Sequence, residues 1–223
     1  MPSRTTIINL GGVNCYLLAE GDGYVLIDTG FQGKRAQLEK SLENAGCKPG
    51  KLRLVVLTHG DADHVGNAAF IRSVYFSKIA MHSLDTGMVQ EGDMSRNRKE
   101  KPDKMSIVAR MMAFVVGTFF KAATKFDKFT PDLLIDEGFD LSTFGLKAKI
   151  LHIPGHSKGS IGVLTEDGKL FCGDFAYNIP GFGFIDDMTD HDESMEKLLQ
   201  HKIDLIYPGH GKPFSMDLLI KRT

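Results

Sequence analysis

Five short apolar runs in this chain each end on a histidine or an aspartate, with glycine or proline close by. Tyr24-Val25-Leu26-Ile27 runs into Asp28. Leu52-Arg53-Leu54-Val55-Val56-Leu57 runs, through Thr58, into the hexapeptide His59-Gly60-Asp61-Ala62-Asp63-His64. Lys147 to Ile153 ends in Pro154-Gly155-His156-Ser157, and Lys169-Leu170-Phe171-Cys172 in Gly173-Asp174. Asp204-Leu205-Ile206-Tyr207 ends in Pro208-Gly209-His210-Gly211. Short apolar runs bounded by turn residues read as buried strands. Glycine and proline allow the tight turns and close backbone approach that a strand end needs. If these ends share one edge of a sandwich, their polar groups converge. The hexapeptide alone carries four metal-ligating side chains, His59, Asp61, Asp63 and His64.

Other segments fill in the pattern. Val13 to Ala19 reads as a strand joined to Tyr24–Ile27 by Glu20-Gly21-Asp22-Gly23, and Ser160 to Thr165 as another. Lys34 to Ala45, Asn67 to Arg72 and Asp192 to His201 read as helices or helix starts. Between Leu84 and Pro131 the pattern changes. Met88, Met94, Met105, Met111 and Met112 cluster there beside the charged stretch Arg96–Lys104. Met105 to Phe126 reads as one helix with a broad apolar face, buried or covering a pocket. Its apolar stretch Met111–Val116 is far too short to span a bilayer. Arg96 to Lys101 reads as a solvated charged face, with phosphate binding as the second reading. His82, His152, His191 and His201 lack strand-end punctuation and read as surface or satisfied core residues. Cys172 reads as a buried apolar thiol.

Composition narrows the function classes. The 223 residues suffice for a real core without disulfides or a structural metal. A net charge of −1 argues against a general polyanion binder and so against nucleic acid. Cys15, Cys47 and Cys172 are odd in number and widely spaced, which points to a reducing compartment, and the N-terminal residues show no secretory pattern. A cytoplasmic protein is expected, with no membrane partner.

The ordered series Asp28, hexapeptide, His156, Asp174 and His210 resembles the metallo-β-lactamase fold superfamily of metallohydrolases. The resemblance covers both ends and the middle of the chain and leaves out Leu84–Pro131. It implies a mixed α/β fold, a four-layer αβ/βα sandwich, as one domain over residues 1–223 with a helical insertion at about 84–131. It also implies two divalent metal ions. His59, the residue at Asp61, and His156 would bind the first. Asp63, His64 and His210 would bind the second, Asp174 would bridge both, and Asp28 would support the ligand loop by hydrogen bonds.

Asp61 departs from the family pattern, which usually has histidine there. A carboxylate makes the ligand shell one unit more negative and shifts preference from zinc, the first choice, toward iron or manganese. Flavodiiron proteins, a redox branch, also carry a carboxylate at this position. The expected activity is hydrolysis of a small-molecule ester, thioester, lactone or phosphoester by a metal-bound hydroxide, with Asp63, Asp174 and Tyr177 as catalytic residues and Tyr177 donating to the oxyanion. An iron-dependent redox enzyme using the same site is the alternative. A binding protein with a structural metal is the third reading, and a homodimer through the apolar insertion is a further expectation.

Overall fold

Val25 and Ile27 point to one side of their strand and Leu26 to the other, and none is more than 2% exposed. A strand buried on both faces needs cover on both. The computed structural model, which describes residues 4–119 and 125–221, supplies that cover as layers. In chain order its elements are β1 (Arg4–Asn9), β2 (Asn14–Glu20), β3 (Gly23–Ile27), α1 (Arg35–Asn44), β4 (Leu52–Val56), α2 (Ala62–Val65), α3 (Ala68–Tyr75), β5 (Lys78–Met81), α4 (Thr86–Glu91), β6 (Lys104–Met105) and α5 (Ile107–Phe119). There follow β7 (Leu133–Leu134), β8 (Ala148–His152), β9 (Ile161–Thr165), β10 (Lys169–Gly173), β11 (Phe184–Ile185), α6 (Met188–Leu199), β12 (Leu205–Pro208), β13 (Phe214–Ser215) and α7 (Met216–Ile220).

The first sheet has the order β1-β2-β3-β4-β5-β7, and the second β13-β12-β10-β9-β8. β3, β4, β5 and β7 run parallel to one another, as do β10 and β12. The two sheets face each other across a core that includes Tyr16, Ile27, Val56, Ile161, Val163 and Phe171. Behind the first sheet, Leu26, Val55 and Leu57 pack with Leu38 and Leu42 of α1 and Ile71 of α3. Behind the second, Leu170, Cys172 and Ile206 pack with Met195 and Leu198 of α6 and Leu219 of α7. This is the expected αβ/βα sandwich, and it buries β3, β4 and β10 on both faces. Polar side chains on such strands are confined to the ends.

Two segments differ from the sequence reading. α6 begins at Met188, not Asp192, because Asp187 caps it by accepting from the N–H groups of Thr189 and Asp190. The helix expected over Met105–Phe126 spans Ile107–Phe119. Met105 is instead paired with Phe184 in the β6–β11 ribbon, residues 120–124 lie outside the described residues, and Phe126 is not helical. Of the two readings of that helix, buried or covering a pocket, burial does not hold: Ile107, Met111 and Phe114 are 78%, 64% and 68% exposed. Among the described residues no helix is long and apolar enough to cross a membrane.

Gly66, just after α2, sets how closely the hexapeptide loop approaches the end of β3. A Cβ there would lie 2.6 Å from the Gly30 carbonyl oxygen and 2.7 Å from that of Ala62, both immovable backbone. Gly66→Ala is therefore expected to destabilise the fold by about 1–3 kcal/mol, as overpacking does. Urea denaturation measures this, and an unchanged midpoint would contradict the tight approach.

Candidate metal centre

The end of β3 does not simply stop. Asp28 takes a left-handed conformation, φ 59°, that non-glycine residues rarely adopt. Its carboxylate accounts for this. Oδ1 accepts from the Thr58 N–H at 2.8 Å, and Oδ2 accepts from both the Thr58 hydroxyl and the His64 Nδ1–H, each at 2.8 Å. One carboxylate thus ties the end of β3 to both ends of the hexapeptide. At the far side of the centre, the Asn14 amide donates to the carbonyls of Pro208 and Gly211 and holds the turn that carries His210.

The side chains drawn together fall into overlapping groups: His59, Asp61 and His156; His59, His64 and Asp174; and Asp63, His64 and His210. In the first, Asp61 Oδ2 lies 3.1 Å from His156 Nε2 and 3.5 Å from His59 Nε2. In the last, Asp63 Oδ2 lies 3.2 Å from His210 Nε2 and 3.8 Å from His64 Nε2. Asp174 sits between, with Oδ1 3.3 Å from His64 Nε2 and Oδ2 3.3 Å from His210 Nε2 and 4.0 Å from His156 Nε2. Gly209 lets the backbone pass behind the cluster, since a Cβ there would come within 2.7 Å of His64 Cε1 and closer still to Asp174 Oδ1.

Hydrogen bonds on the outer nitrogens assign the tautomers. His64 Nδ1 donates to Asp28, and His210 Nδ1 to the Gly12 carbonyl at 2.9 Å. The Thr58 hydroxyl donates to Asp28 and so accepts from His59 Nδ1 at 3.0 Å. The Tyr177 hydroxyl donates to Asp174 Oδ2 at 3.4 Å and accepts from His156 Nδ1 at 3.0 Å. All four rings therefore turn Nε2 inward, toward carboxylate oxygens. His59 Nε2, His64 Nε2 and Asp174 Oδ1 are buried with no hydrogen-bond partner. Lone pairs facing oxygens in a buried cluster are stable only with a positive charge between them. Protons serve at two rings: against the effect of burial, Asp174 and neighbouring carboxylates raise the pKa of His64 well above its ordinary value and that of His210 to about 10. At His156 burial pushes the pKa down, so that ring stays neutral beside Asp61. The donor set of imidazole nitrogens and carboxylates fits divalent cations such as zinc.

Two contributors are not legible as such in the sequence, and both come from the segment expected to be an insertion. Asp85 is fully buried. Its Oδ2 accepts from the Gly60 N–H at 3.0 Å and the Ser157 hydroxyl at 2.7 Å, and its Oδ1 from the Gly159 N–H at 2.9 Å. It clamps the loop of His59 to the loop of His156. Arg98 contradicts the solvated-face reading of Arg96–Lys101: its Nη2 donates to Asp61 Oδ1 at 2.7 Å, and its side chain is 12% exposed. Burial opposes the charge on Asp61, but Arg98 and the two adjacent imidazoles hold that carboxyl well below the usual range. Tyr177 lies at the centre, with its hydroxyl turned to His156 and Asp174. His82 and His152 stack on each other at 4.1 Å away from the main centre, with Asp136 alongside. Asp85→Ala strands two N–H groups and a hydroxyl. It is expected to cost about 3 kcal/mol or more in urea denaturation. A loss below about 1 kcal/mol would mean that the clamp is not formed.

The comparisons with known proteins agree with this fold. The profile of the Metallo-beta-lactamase superfamily matches residues 8–210. Beta-lactamase-like protein 2 homolog of Drosophila melanogaster is 26% identical over 94% of this chain, which spans 61% of that protein's length. A Bos taurus protein named Acyl-coenzyme A thioesterase MBLAC2 is 25% identical over 93% of this chain and 76% of its own length. Among solved structures, a metallo-beta-lactamase family protein from Thermus thermophilus superposes with a TM-score of 0.72 at 20% identity, covering 96% of this chain and 74% of its own. The subclass B3 metallo-beta-lactamase BJP-1 of Bradyrhizobium japonicum gives 0.69 at 18% identity, over 94% of this chain and 76% of its own. With the sandwich, the strand-end cluster and a profile match across nearly the whole chain in agreement, the protein belongs to the metallo-beta-lactamase superfamily.

Proposed function

We propose that this protein is a metal-dependent hydrolase of a small-molecule ester, thioester, lactone or phosphoester. The observation that carries the reading is the inward set of four Nε2 atoms interleaved with Asp61, Asp63 and Asp174. His59, Asp61 and His156 would hold one divalent cation and Asp63, His64 and His210 a second, with Asp174 shared. Zinc is the first choice, and the carboxylate at Asp61 keeps iron and manganese in the comparison. Bound there, such cations supply Lewis-acid polarisation of a carbonyl or phosphoryl oxygen and make water a usable nucleophile at neutral pH.

The chain's own groups do the rest. Asp63, whose Oδ2 lies beside His210 and His64, would orient the attacking water, and Asp174 would be shared between the two cation positions. Asp28, Thr58, Gly12 and Tyr177 hold the four rings in the tautomer that leaves Nε2 free to bind. Tyr177 is thereby assigned to orienting His156, since its hydroxyl is already engaged in the structure. The thioesterase-named relative makes acyl thioesters the first class to test, and the charge balance argues against nucleic acid. Three buried free cysteines support a reducing, cytoplasmic setting.

Zinc-loaded protein is expected to hydrolyse at least one of a panel of ester, thioester, lactone and phosphodiester probes. Chelation should remove the activity and added zinc restore it. His64→Ala and Asp174→Ala should each lower kcat/KM more than about 100-fold while far-UV circular dichroism stays native. Full activity in either variant would sink the mechanism. Stoichiometric iron with a reducible visible band would favour redox chemistry instead. Tyr177→Phe is expected to weaken zinc binding by about 10-fold and to leave kcat at saturating zinc largely unchanged. The opposite split would return Tyr177 to the oxyanion.

A further inference from the structure

Asp61 brings one extra negative charge into a buried group where a histidine would be neutral, and the structure pairs that charge. Arg98 Nη2 reaches Asp61 Oδ1 at 2.7 Å, with side chains only 12% and 18% exposed, so this is not a solvated surface pair. The same Nη2 is 3.4 Å from His156 Nε2. The guanidinium engages one carboxylate oxygen and leaves the other, Oδ2, facing His156 and His59 at 3.1 and 3.5 Å. Its carbon lies 5.4 Å from the Phe184 ring centroid, and that ring packs edge-on against His156.

The loop that delivers Arg98 is built to do so. Asn97 takes a left-handed conformation, φ 64°, and its side-chain amide donates to the Leu84 carbonyl at 2.7 Å. On the other side, the Lys99 N–H donates to buried Asp186 Oδ2 at 3.2 Å. A long side chain wandering onto a nearby carboxylate needs neither anchor.

We propose that Arg98 is a positioning residue for the cation position formed by His59, Asp61 and His156. It cancels the charge of Asp61 and locks the carboxylate with Oδ2 inward, so that Asp61 and Arg98 together act as one neutral ligand. The inference rests on the metal-centre reading above and adds to it a rule about which substitutions are tolerated together. Asp61→His alone supplies a good ligand but strands a guanidinium beside a dication. Removing Arg98 as well removes that repulsion.

The test is zinc content after dialysis against a weak chelator, together with zinc affinity from competition with a chromophoric chelator. Wild type should hold two equivalents. Asp61→His should weaken the first position about 10-fold or more and hold one. Asp61→His/Arg98→Met should return to two. Should Asp61→His fold poorly by circular dichroism, the pair Asp61→Asn and Asp61→Asn/Arg98→Met repeats the comparison in an isosteric frame, the second substitution again restoring zinc. Two equivalents in Asp61→His, or no recovery in either double variant, overturns the proposal while the metal-centre reading stands. One equivalent in wild type and two in Arg98→Met would show the guanidinium itself occupying the first position, which also overturns it. No zinc bound by wild type, together with no iron or manganese in the same assay, would remove the metal-centre reading and this inference with it.

Discussion

Acceptors facing acceptors at the edge of the sandwich are the constraint on which the rest of this structure turns. Four imidazole Nε2 atoms and three carboxylates are held at separations of 3.1–4.0 Å in a region largely sealed from water. Left to itself such a cluster would fly apart or take up protons. It is kept together from outside. Asp28 grips Thr58 and His64, Asp85 clamps two loops, and Asn14 fixes the turn before His210. These outer contacts are buried and complete, whereas His59 Nε2, His64 Nε2 and Asp174 Oδ1 inside have no hydrogen-bond partner. A fold that satisfies its periphery and leaves its centre electrostatically unbalanced is organised around something positive.

The parts of this arrangement that can be read from the sequence are the parts that chain periodicity controls. β3, β4, β10 and β12 are buried on both faces over most of their length, and they appear as largely apolar runs. The polar residues at their ends then stand out by contrast, which is why Asp28, the hexapeptide, His156, Asp174 and His210 are visible as a set. Asp85 and Arg98 have no such contrast. Asp85 sits in Ser83-Leu84-Asp85-Thr86, an ordinary-looking helix start, and Arg98 lies within a run of charged residues. Their partners are 25 and 37 positions away in the chain. Such pairings follow from where a loop is anchored, and no local pattern encodes that. The helix after Met105 misleads for the converse reason. Its apolar residues suggest burial, yet Ile107, Met111 and Phe114 are largely exposed.

The segment between β5 and β7 therefore does more than interrupt the sandwich. It contributes the carboxylate that joins the His59 and His156 loops and the guanidinium that faces Asp61. This links the unusual residue of the hexapeptide to a feature far along the chain. A carboxylate at position 61 without a nearby cation would be a buried, uncompensated charge, costing several kcal/mol. Arg98 supplies that cation at Oδ1 and leaves Oδ2 facing His156 and His59. Asp61 and the charged loop are thus joined by a largely buried ion pair.

Stability and metal binding are separable in such a molecule. Its three apolar clusters, one between the sheets and one behind each, lie apart from the ligand atoms. They supply the bulk of the folding free energy through burial, so the sandwich does not depend on a cation in the way that a small zinc domain does. Ligand binding adds to stability only by RT ln(1 + [L]/Kd), a few kcal/mol at ordinary excess. What the cation position depends on is the set of outer hydrogen bonds, because these select the tautomers and hold the rings inward against mutual repulsion. Substitutions at Thr58, Tyr177 and Arg98 are expected to act chiefly on the centre, those in the cores on folding, and those at Asp85, which clamps two loops, on both. The boundary between the two classes runs along the strand ends.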